Sequence, residues 1–156
     1  MEKSYIDDID NENLDLGDCI CSALKLEEVD VNSYSPLVLA YIGDSVYDVI
    51  IKSMVINKGN RQVQKIHQNT SYFVNACTQS LMMRNIQSHL TEEENAIYRR
   101  GRNSKAITPA KNQSVTDYRR ATGFEALIGY LYLKKKYGRL TELIKIGLDG
   151  IPEFDS

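Results

Sequence analysis

Two acidic side chains stand in unusually apolar surroundings and are the first candidates for chemistry. Asp44 lies in the stretch LVLAYIGDSVYDVII, and Glu125 lies in ATGFEALIGYLYL. An ionised carboxylate among apolar side chains is costly unless a cation or hydrogen-bond donors compensate it. If the two acids converge on one site, they suit a hard cation such as Mg²⁺, which prefers carboxylate oxygens and water.

Each of these acids also has an ordinary structural interpretation. A single acid on an apolar helix could be a cap, an arginine's salt-bridge partner or a member of a narrow polar stripe. Spacing alone does not show that Asp44 and Glu125 meet. Gly43 is unfavourable inside a helix and predicts close approach of another backbone or a ligand. Asp48 is either an outer acid of the same site or a solvated helix position, and Asp117 is expected to be an N-cap.

The second chemical feature is a concentration of positive charge. The chain carries a formal charge of −2, but residues 1–30 hold ten acidic and two basic residues, so the remainder is net positive. Segment 99–120 contains seven basic residues against Asp117 alone. Local rather than total charge attracts a polyanion, and arginine side chains suit phosphate oxygens geometrically. The candidate phosphate-binding residues are Arg99, Arg100, Arg102, Asn103, Lys105, Lys111 and Arg119. The structural alternative is a solvated charged loop.

The elements that must position these residues are all predicted to be helices. Ser35-Pro36 is a good N-cap and first-turn pair for the apolar run 37–51, which we expect to be buried on most sides. Apolar spacing predicts one helix over about 61–88, and Thr91 with Glu94 predicts a capping box for a helix ending near Gly101. Further helices are expected at about 18–28, 117–137 (with Gly138 as its stop) and 140–149. No segment shows convincing strand alternation, so the fold class is all-α.

Composition is that of one ordinary globular domain, with 156 residues, 42% apolar and 26% charged. No signal peptide or membrane span is predicted, because Asp44 and Asp48 interrupt the longest apolar run. Three cysteines do not resemble a disulfide framework, so a cytoplasmic location is expected. We expect an acidic, loosely packed segment at 1–30, a catalytic domain at 31–150 and a tail at 151–156.

The order of these segments resembles a known family. LAYIGDSVYD (39–48) is similar to the signature helix of ribonuclease III, and ATGFEALIGYLYL (121–133) is similar to that family's second acidic motif. RGRNSK (100–105) and QNTSYFVNACTQ (68–79) resemble the compact bacterial subfamily Mini-ribonuclease III, which has no double-stranded-RNA-binding domain. The resemblance covers about 35–150. Two acidic positions of full ribonuclease III are replaced by Ala40 and Thr122.

The resemblance implies a helical, dimeric ribonuclease III-like endonuclease domain. Asp44 and Glu125 would be the catalytic metal ligands for Mg²⁺, with Mn²⁺ as a possible substitute, and the substrate would be double-stranded RNA cut to 5′-phosphate and 3′-hydroxyl ends. It also implies maturation of precursor 23S ribosomal RNA, a possible ribosomal protein helper, and a homodimer whose signature helices pack together, with Tyr41 at the interface. The number of bound metal ions stays open.

Two other functional classes compete with the nuclease. One is a non-catalytic ribonuclease III-like module that binds RNA or the ribosome, which the neutral residues at 40 and 122 favour. The other is a plain helical dimerisation domain, against which the basic cluster at 99–120 argues. Retention of both Asp44 and Glu125 favours the enzyme.

Overall fold

A computed structural model describes residues 14–104 and 114–153. Within these residues every regular element is helical, as the sequence predicts. No helix in this part of the chain is long and apolar enough to cross a membrane. The basic candidates Lys105 and Lys111, and part of the acidic segment at 1–30, lie outside the described residues.

Contacts divide the chain into two units, residues 1–33 and 34–156. The described part of the first unit contains α1 (Leu16–Ala23) and a 3-10 turn at Val31–Ser33. Asp15 caps α1, because its side chain accepts a hydrogen bond from the backbone N–H of Asp18 at 2.8 Å. The helix is displaced toward the N-terminus from the predicted range 18–28.

The second unit contains six α-helices in its described residues. They are α2 (Pro36–Ile56), α3 (Val63–Val74), α4 (Ala76–Ile86), α5 (Glu92–Arg102), α6 (Val115–Leu133) and α7 (Tyr137–Leu148), with a 3-10 turn at Gln87–His89 after α4. α6 is the central helix and packs against α2, α4, α5 and α7. Nearly every α6 residue from 121 to 131 is buried, with Glu125 as the half-buried exception.

Two predicted caps are present in the structure. The Ser35 side chain accepts a hydrogen bond from Val38 N–H at the start of α2. Thr91 and Glu94 form the predicted capping box at the start of α5. The Glu94 carboxylate also accepts hydrogen bonds from Arg139 on α7 at 2.8 and 2.9 Å, which connects α5 to α7.

The prediction of one helix over 61–88 is wrong. The backbone of Asn75 is extended (φ −73°, ψ 159°), and its side chain accepts from Thr78 N–H as the N-cap of α4. The break therefore needs no glycine or proline, because an asparagine that caps the next helix stabilises the extended conformation. Apolar periodicity is the same on both sides of the break, so the pattern did not reveal it.

The bounds of α6 also differ from the prediction. Ser114 is the N-cap, and its hydroxyl accepts from the N–H of Asp117, which lies inside the first turn. The helix ends at Leu133, where Lys135 adopts a left-handed conformation with φ of 59°. Gly138, the predicted stop, lies within α7 instead. A lysine supplies the reversal that glycine usually supplies.

The expectation that α2 is buried on most sides is wrong for the single chain. Its buried residues form one stripe with a spacing of four: Leu39, Gly43, Tyr47, Ile51 and Val55. A second stripe of the same helix leaves large apolar side chains open to solvent, including Val38, Tyr41, Val49 and Ile56. α2 therefore has two apolar faces, and only one of them is covered within this chain.

Candidate active site

The two candidate acids meet where α2 crosses α6. A Cβ added at Gly43 would overlap the carbonyl oxygen of Glu125, and one added at Gly129 would overlap the carbonyl oxygen of Leu39. The backbones of the two helices are thus in direct contact, which only glycine allows. Asp44 follows Gly43 directly, so the crossing places its carboxyl group beside that of Glu125. The close approach predicted from Gly43 is confirmed.

The acids share one small cleft of about 200 Å³. α2 contributes Asp44, and the junction between α3 and α4 contributes a second wall. α6 contributes the third wall. The lining residues are Asp44, Val74, Asn75, Ala76, Gln79, Tyr118, Ala121, Thr122 and Glu125.

The two carboxyl groups differ in exposure. Asp44 is exposed and Glu125 is half-buried, so the expectation of two deeply buried acids is wrong for Asp44. Burial raises the pKa of Glu125 to about 9, and both a hydrogen bond to Asp44 and the negative charge of Asp44 act in the same direction. Two carboxyl groups this close do not both ionise easily at neutral pH without a compensating positive charge.

Tyr47 is a buried residue that packs next to the site. It lies one turn after Gly43 on the buried stripe of α2 and is fully buried. Its hydroxyl donates to the carbonyl of Phe73 at 2.7 Å, and its ring packs edge-to-face on Phe124 with centroids 5.3 Å apart. Burial, with the nearby charge of Glu125 as a second cause, raises the pKa of the Tyr47 hydroxyl, so this group stays neutral.

The positions that are acidic in full ribonuclease III add no charge here. Thr122 lines the cleft, but its hydroxyl donates to the carbonyl of Tyr118 within the same helix at 3.0 Å. Ala40 is half-buried on α2. Across residues 14–104 and 114–153, no group of three or more His, Cys, Asp or Glu side chains could hold a metal ion. The donor set is two carboxylates, which fits a hard cation that completes its coordination with water and substrate oxygens.

Three polar residues of the cleft were not singled out from the sequence: Asn75, Gln79 and Tyr118. Gln79 is only 2% exposed although it is polar. The available signal was a glutamine and an asparagine in a segment, 68–79, that otherwise follows apolar periodicity. That signal indicates buried polar groups but does not say which side chains they face.

The basic candidates lie mainly at the C-terminal end of α5. Arg99, Arg100 and Asn103 are exposed and line an open groove of about 650 Å³ beside Pro36. Arg102 is half-buried, with its guanidinium 5.6 Å from the ring centre of Tyr98. None of these described residues lines the carboxylate cleft.

Arg119 is the described basic candidate that is adjacent in sequence to a cleft residue. It is exposed on α6, directly after the cleft residue Tyr118. Tyr41, the expected interface residue, is 81% exposed on the open stripe of α2.

Comparison with known proteins agrees with this fold. A family model described as the ribonuclease III domain matches residues 37–136. A Mini-ribonuclease 3 of Thermoanaerobacter sp. is 40% identical over 98% of this chain and all of the relative, and one of Clostridium tetani is 50% identical over 75% of this chain and 78% of the relative. The crystal structure of a protein from Fusobacterium nucleatum has a TM-score of 0.72 and 32% identity, covering 79% of this chain and all of that one.

The matching family model and the helical fold define a ribonuclease III domain. The chain belongs to the ribonuclease III family and, within it, to the Mini-ribonuclease 3 group. It is an endoribonuclease that acts on RNA. The enzyme interpretation thereby prevails over the binding module and the dimerisation domain.

Proposed function

We propose that this endoribonuclease cuts double-stranded RNA by Mg²⁺-dependent phosphodiester hydrolysis and leaves 5′-phosphate and 3′-hydroxyl ends. The observation that carries the proposal is the convergence of Asp44 and Glu125 in one cleft at the α2–α6 crossing. They come from positions 81 residues apart in the sequence, and their proximity raises an electrostatic cost that a divalent cation would offset. Mn²⁺, which accepts the same oxygen ligands, is the expected substitute.

Asp44 and Glu125 are the residues that would hold the cation. When bound, such an ion activates a water molecule, orients the scissile phosphate and stabilises charge on the leaving 3′ oxygen. The protein itself supplies the two carboxylates, and the α2–α6 backbone contact brings together the residues that carry them. Tyr47 on α2 packs edge-to-face against Phe124 on α6, which adds a side-chain contact between the same two helices.

A homodimer is the proposed functional unit. The open stripe of α2 exposes 46% of Val38, 81% of Tyr41, 64% of Val49 and 60% of Ile56. Apolar side chains aligned on one helix face favour association, and a two-fold axis would pair this face with itself. Asp44 of the cleft lies on this same helix. Each protomer of the dimer would therefore present one pair of carboxylates to one strand of a duplex.

The basic residues at the end of α5 are proposed to bind the RNA backbone. Proteins recognise A-form RNA largely through its shape, phosphates and 2′-hydroxyl groups. Arg99, Arg100, Arg102 and Asn103 supply donors on one surface, and Arg119 supplies another beside the cleft. Lys105 and Lys111 are proposed to contribute to RNA binding on sequence grounds alone.

The proposed substrate is precursor 23S ribosomal RNA, processed in the cytoplasm. A ribosomal protein is the proposed helper in this processing. This assignment is supported by the similarity to Mini-ribonuclease 3 proteins over nearly the whole chain. It concerns which duplex is cut, whereas the chemistry depends only on the carboxylate cleft.

The test is cleavage of a long RNA duplex in Mg²⁺ and in EDTA by wild type, Asp44→Asn and Glu125→Gln. We expect 5′-phosphate ends with wild type in Mg²⁺, none in EDTA, and at least about a 100-fold loss of rate in either variant, because each removes several kcal/mol of charge stabilisation. Asp48→Asn is the matched control, since Asp48 pairs with Lys52 at 2.8 Å on the surface of the same helix. Cleavage by Asp44→Asn at the control's rate would refute the assignment.

A further inference from the structure

The backbone carbonyl groups in the last turn of α3 accept hydrogen bonds from side chains of two other helices and of the α3–α4 junction. Asn75 Nδ2 donates to the carbonyl of Ser71 at 3.1 Å and to that of Tyr72 at 2.9 Å. Tyr47 from α2 donates to the Phe73 carbonyl. Gln79 Nε2 from α4 donates to the Val74 carbonyl at 3.0 Å. The carbonyl groups that a helix end leaves without intrahelical partners thus accept hydrogen bonds from side chains.

The bond to Val74 determines which way the Gln79 amide faces. Its nitrogen must point to the Val74 carbonyl, because the reverse orientation would place two oxygen atoms against each other. The Oε1 atom is therefore directed away from Val74. This atom is buried and has no hydrogen-bond partner among the described residues. Gln79 is the residue in the wall of the carboxylate cleft that combines near-complete burial with an unpartnered acceptor.

An unpartnered buried carbonyl oxygen has a substantial cost, about 1–3 kcal/mol. Gln79 Oε1 is closed to bulk solvent and Gln79 lines the carboxylate cleft, so a group bound in the cleft is the candidate donor. The oxygen can only accept, which excludes a phosphate oxygen as its partner because ionised phosphate carries no proton there. Among the groups that a bound ligand could bring into the cleft, the donors are a water molecule on a cation and a ribose hydroxyl.

We propose that Gln79 is a positioning residue whose Oε1 accepts a hydrogen bond from a water molecule of the cation held by Asp44 and Glu125. The inference rests on the proposed cation site. A cation with two carboxylate ligands retains more water than one with four, and each retained water presents protons that need acceptors. The Thr122 hydroxyl donates its proton to the Tyr118 carbonyl, so that proton is not available to a ligand in the cleft. Gln79 supplies a neutral acceptor in the wall formed by the α3–α4 junction.

The test measures Mn²⁺ binding without RNA, by electron paramagnetic resonance of the free ion, for wild type, Gln79→Met and Gln79→Glu. Methionine keeps the length and loses both polar atoms, whereas glutamate loses the donor to Val74 and keeps an acceptor at the cleft. We expect Mn²⁺ affinity to fall about tenfold in Gln79→Met, as for other groups that orient metal-bound ligands. Gln79→Glu should bind at least as tightly as wild type, although both variants lose the Val74 hydrogen bond and should melt at lower temperature.

Thr70→Val is the matched control. Thr70 is also buried with an unpartnered hydroxyl oxygen among the described residues, but it does not line the cleft, so its Mn²⁺ affinity should equal that of wild type. Wild-type affinity in Gln79→Met, or equal weakening in both Gln79 variants, would overturn the proposal and leave Gln79 a helix cap. A wild type that binds no Mn²⁺, or an Asp44→Asn variant that binds it normally, would instead remove the cation site itself.

Discussion

Gly43 on α2 lies directly against the backbone carbonyl of Glu125 on α6, so the helix that carries one acid is in contact with the residue that carries the other. No side chain fits between them. The separation of the two carboxyl groups therefore depends on how closely two backbones approach, which a single methyl group would change.

The first prediction is that Gly43→Ala inactivates the enzyme without removing a polar group. The added Cβ must displace α2 from α6, because the atom it meets belongs to the backbone and cannot rotate away. We expect a loss of stability of about 1–3 kcal/mol, typical of overpacking, and a larger loss of cleavage rate. Thermal unfolding and duplex cleavage measure the two effects.

Gly138→Ala is the control for this substitution. Gly138 lies in α7, and a Cβ there would have nothing within 4 Å among the described residues. The variant should retain full activity and gain up to about 1 kcal/mol, because alanine is the better helix former. A fully active Gly43→Ala enzyme would contradict the role given to the α2–α6 contact.

The second prediction concerns the pH dependence of stability in EDTA. Glu125 has a pKa of about 9 in the folded protein against an ordinary value near 4.5. Between these pH values the folded state holds a proton that the unfolded state has lost, so the free energy of unfolding falls as pH rises through this range. Glu125→Gln removes the titrating group, and its unfolding free energy should change less between pH 5 and pH 9, roughly the two pKa values.

Urea unfolding at a series of pH values measures this difference. Asp48→Asn changes an acid that pairs with Lys52 on the surface of α2. This variant should keep the wild-type slope of unfolding free energy against pH. Mg²⁺ should reduce the slope in wild type alone if the cation binds the two carboxylates, because it favours the ionised form of Glu125. Equal slopes for wild type and Glu125→Gln in EDTA would show that the raised pKa is absent.

The third prediction is that Tyr41→Asp dissociates the proposed dimer. Tyr41 is the most exposed large apolar residue on the open stripe of α2, and a charge at its position would have to be buried in a symmetric interface twice. Sedimentation velocity should show a dimer for wild type and a monomer for the variant. Val63→Asp, at a 66% exposed position on α3, should leave the dimer intact. A monomeric wild type would remove the proposal.

The fourth prediction concerns the salt dependence of RNA binding. Replacing Arg99 and Arg100 with alanine should weaken binding to all duplex sequences and reduce the slope of log K against log salt by about one for each lost phosphate contact. Fluorescence anisotropy in EDTA, where no cleavage is expected, measures the slope. Lys145→Ala changes an exposed lysine on α7 and should leave it unchanged. An unaltered slope in the arginine variant would place the RNA elsewhere.

The junction between α3 and α4 is a helix boundary that apolar periodicity does not predict. The apolar positions of 61–88 follow one helical period, yet the chain turns at Asn75 because that residue caps the following helix. Whether an asparagine is a cap or an exposed helix residue depends on what its neighbours contact. The site residue Gln79 was missed for the same reason, since its burial is a property of the packed junction rather than of the local sequence.

The sequence by itself determined the helical class, the caps at Ser35 and Thr91, and the two acids whose apolar surroundings indicate chemistry. These follow from local preferences and from helical periodicity, which depend on residues within one or two turns. Only the tertiary structure decided that Asp44 and Glu125 share a cleft, that Asp44 is exposed, and that α2 keeps a second apolar face open. Those outcomes depend on where the backbones of distant segments touch, as those of Gly43 and Glu125 do, and no local preference specifies such a contact.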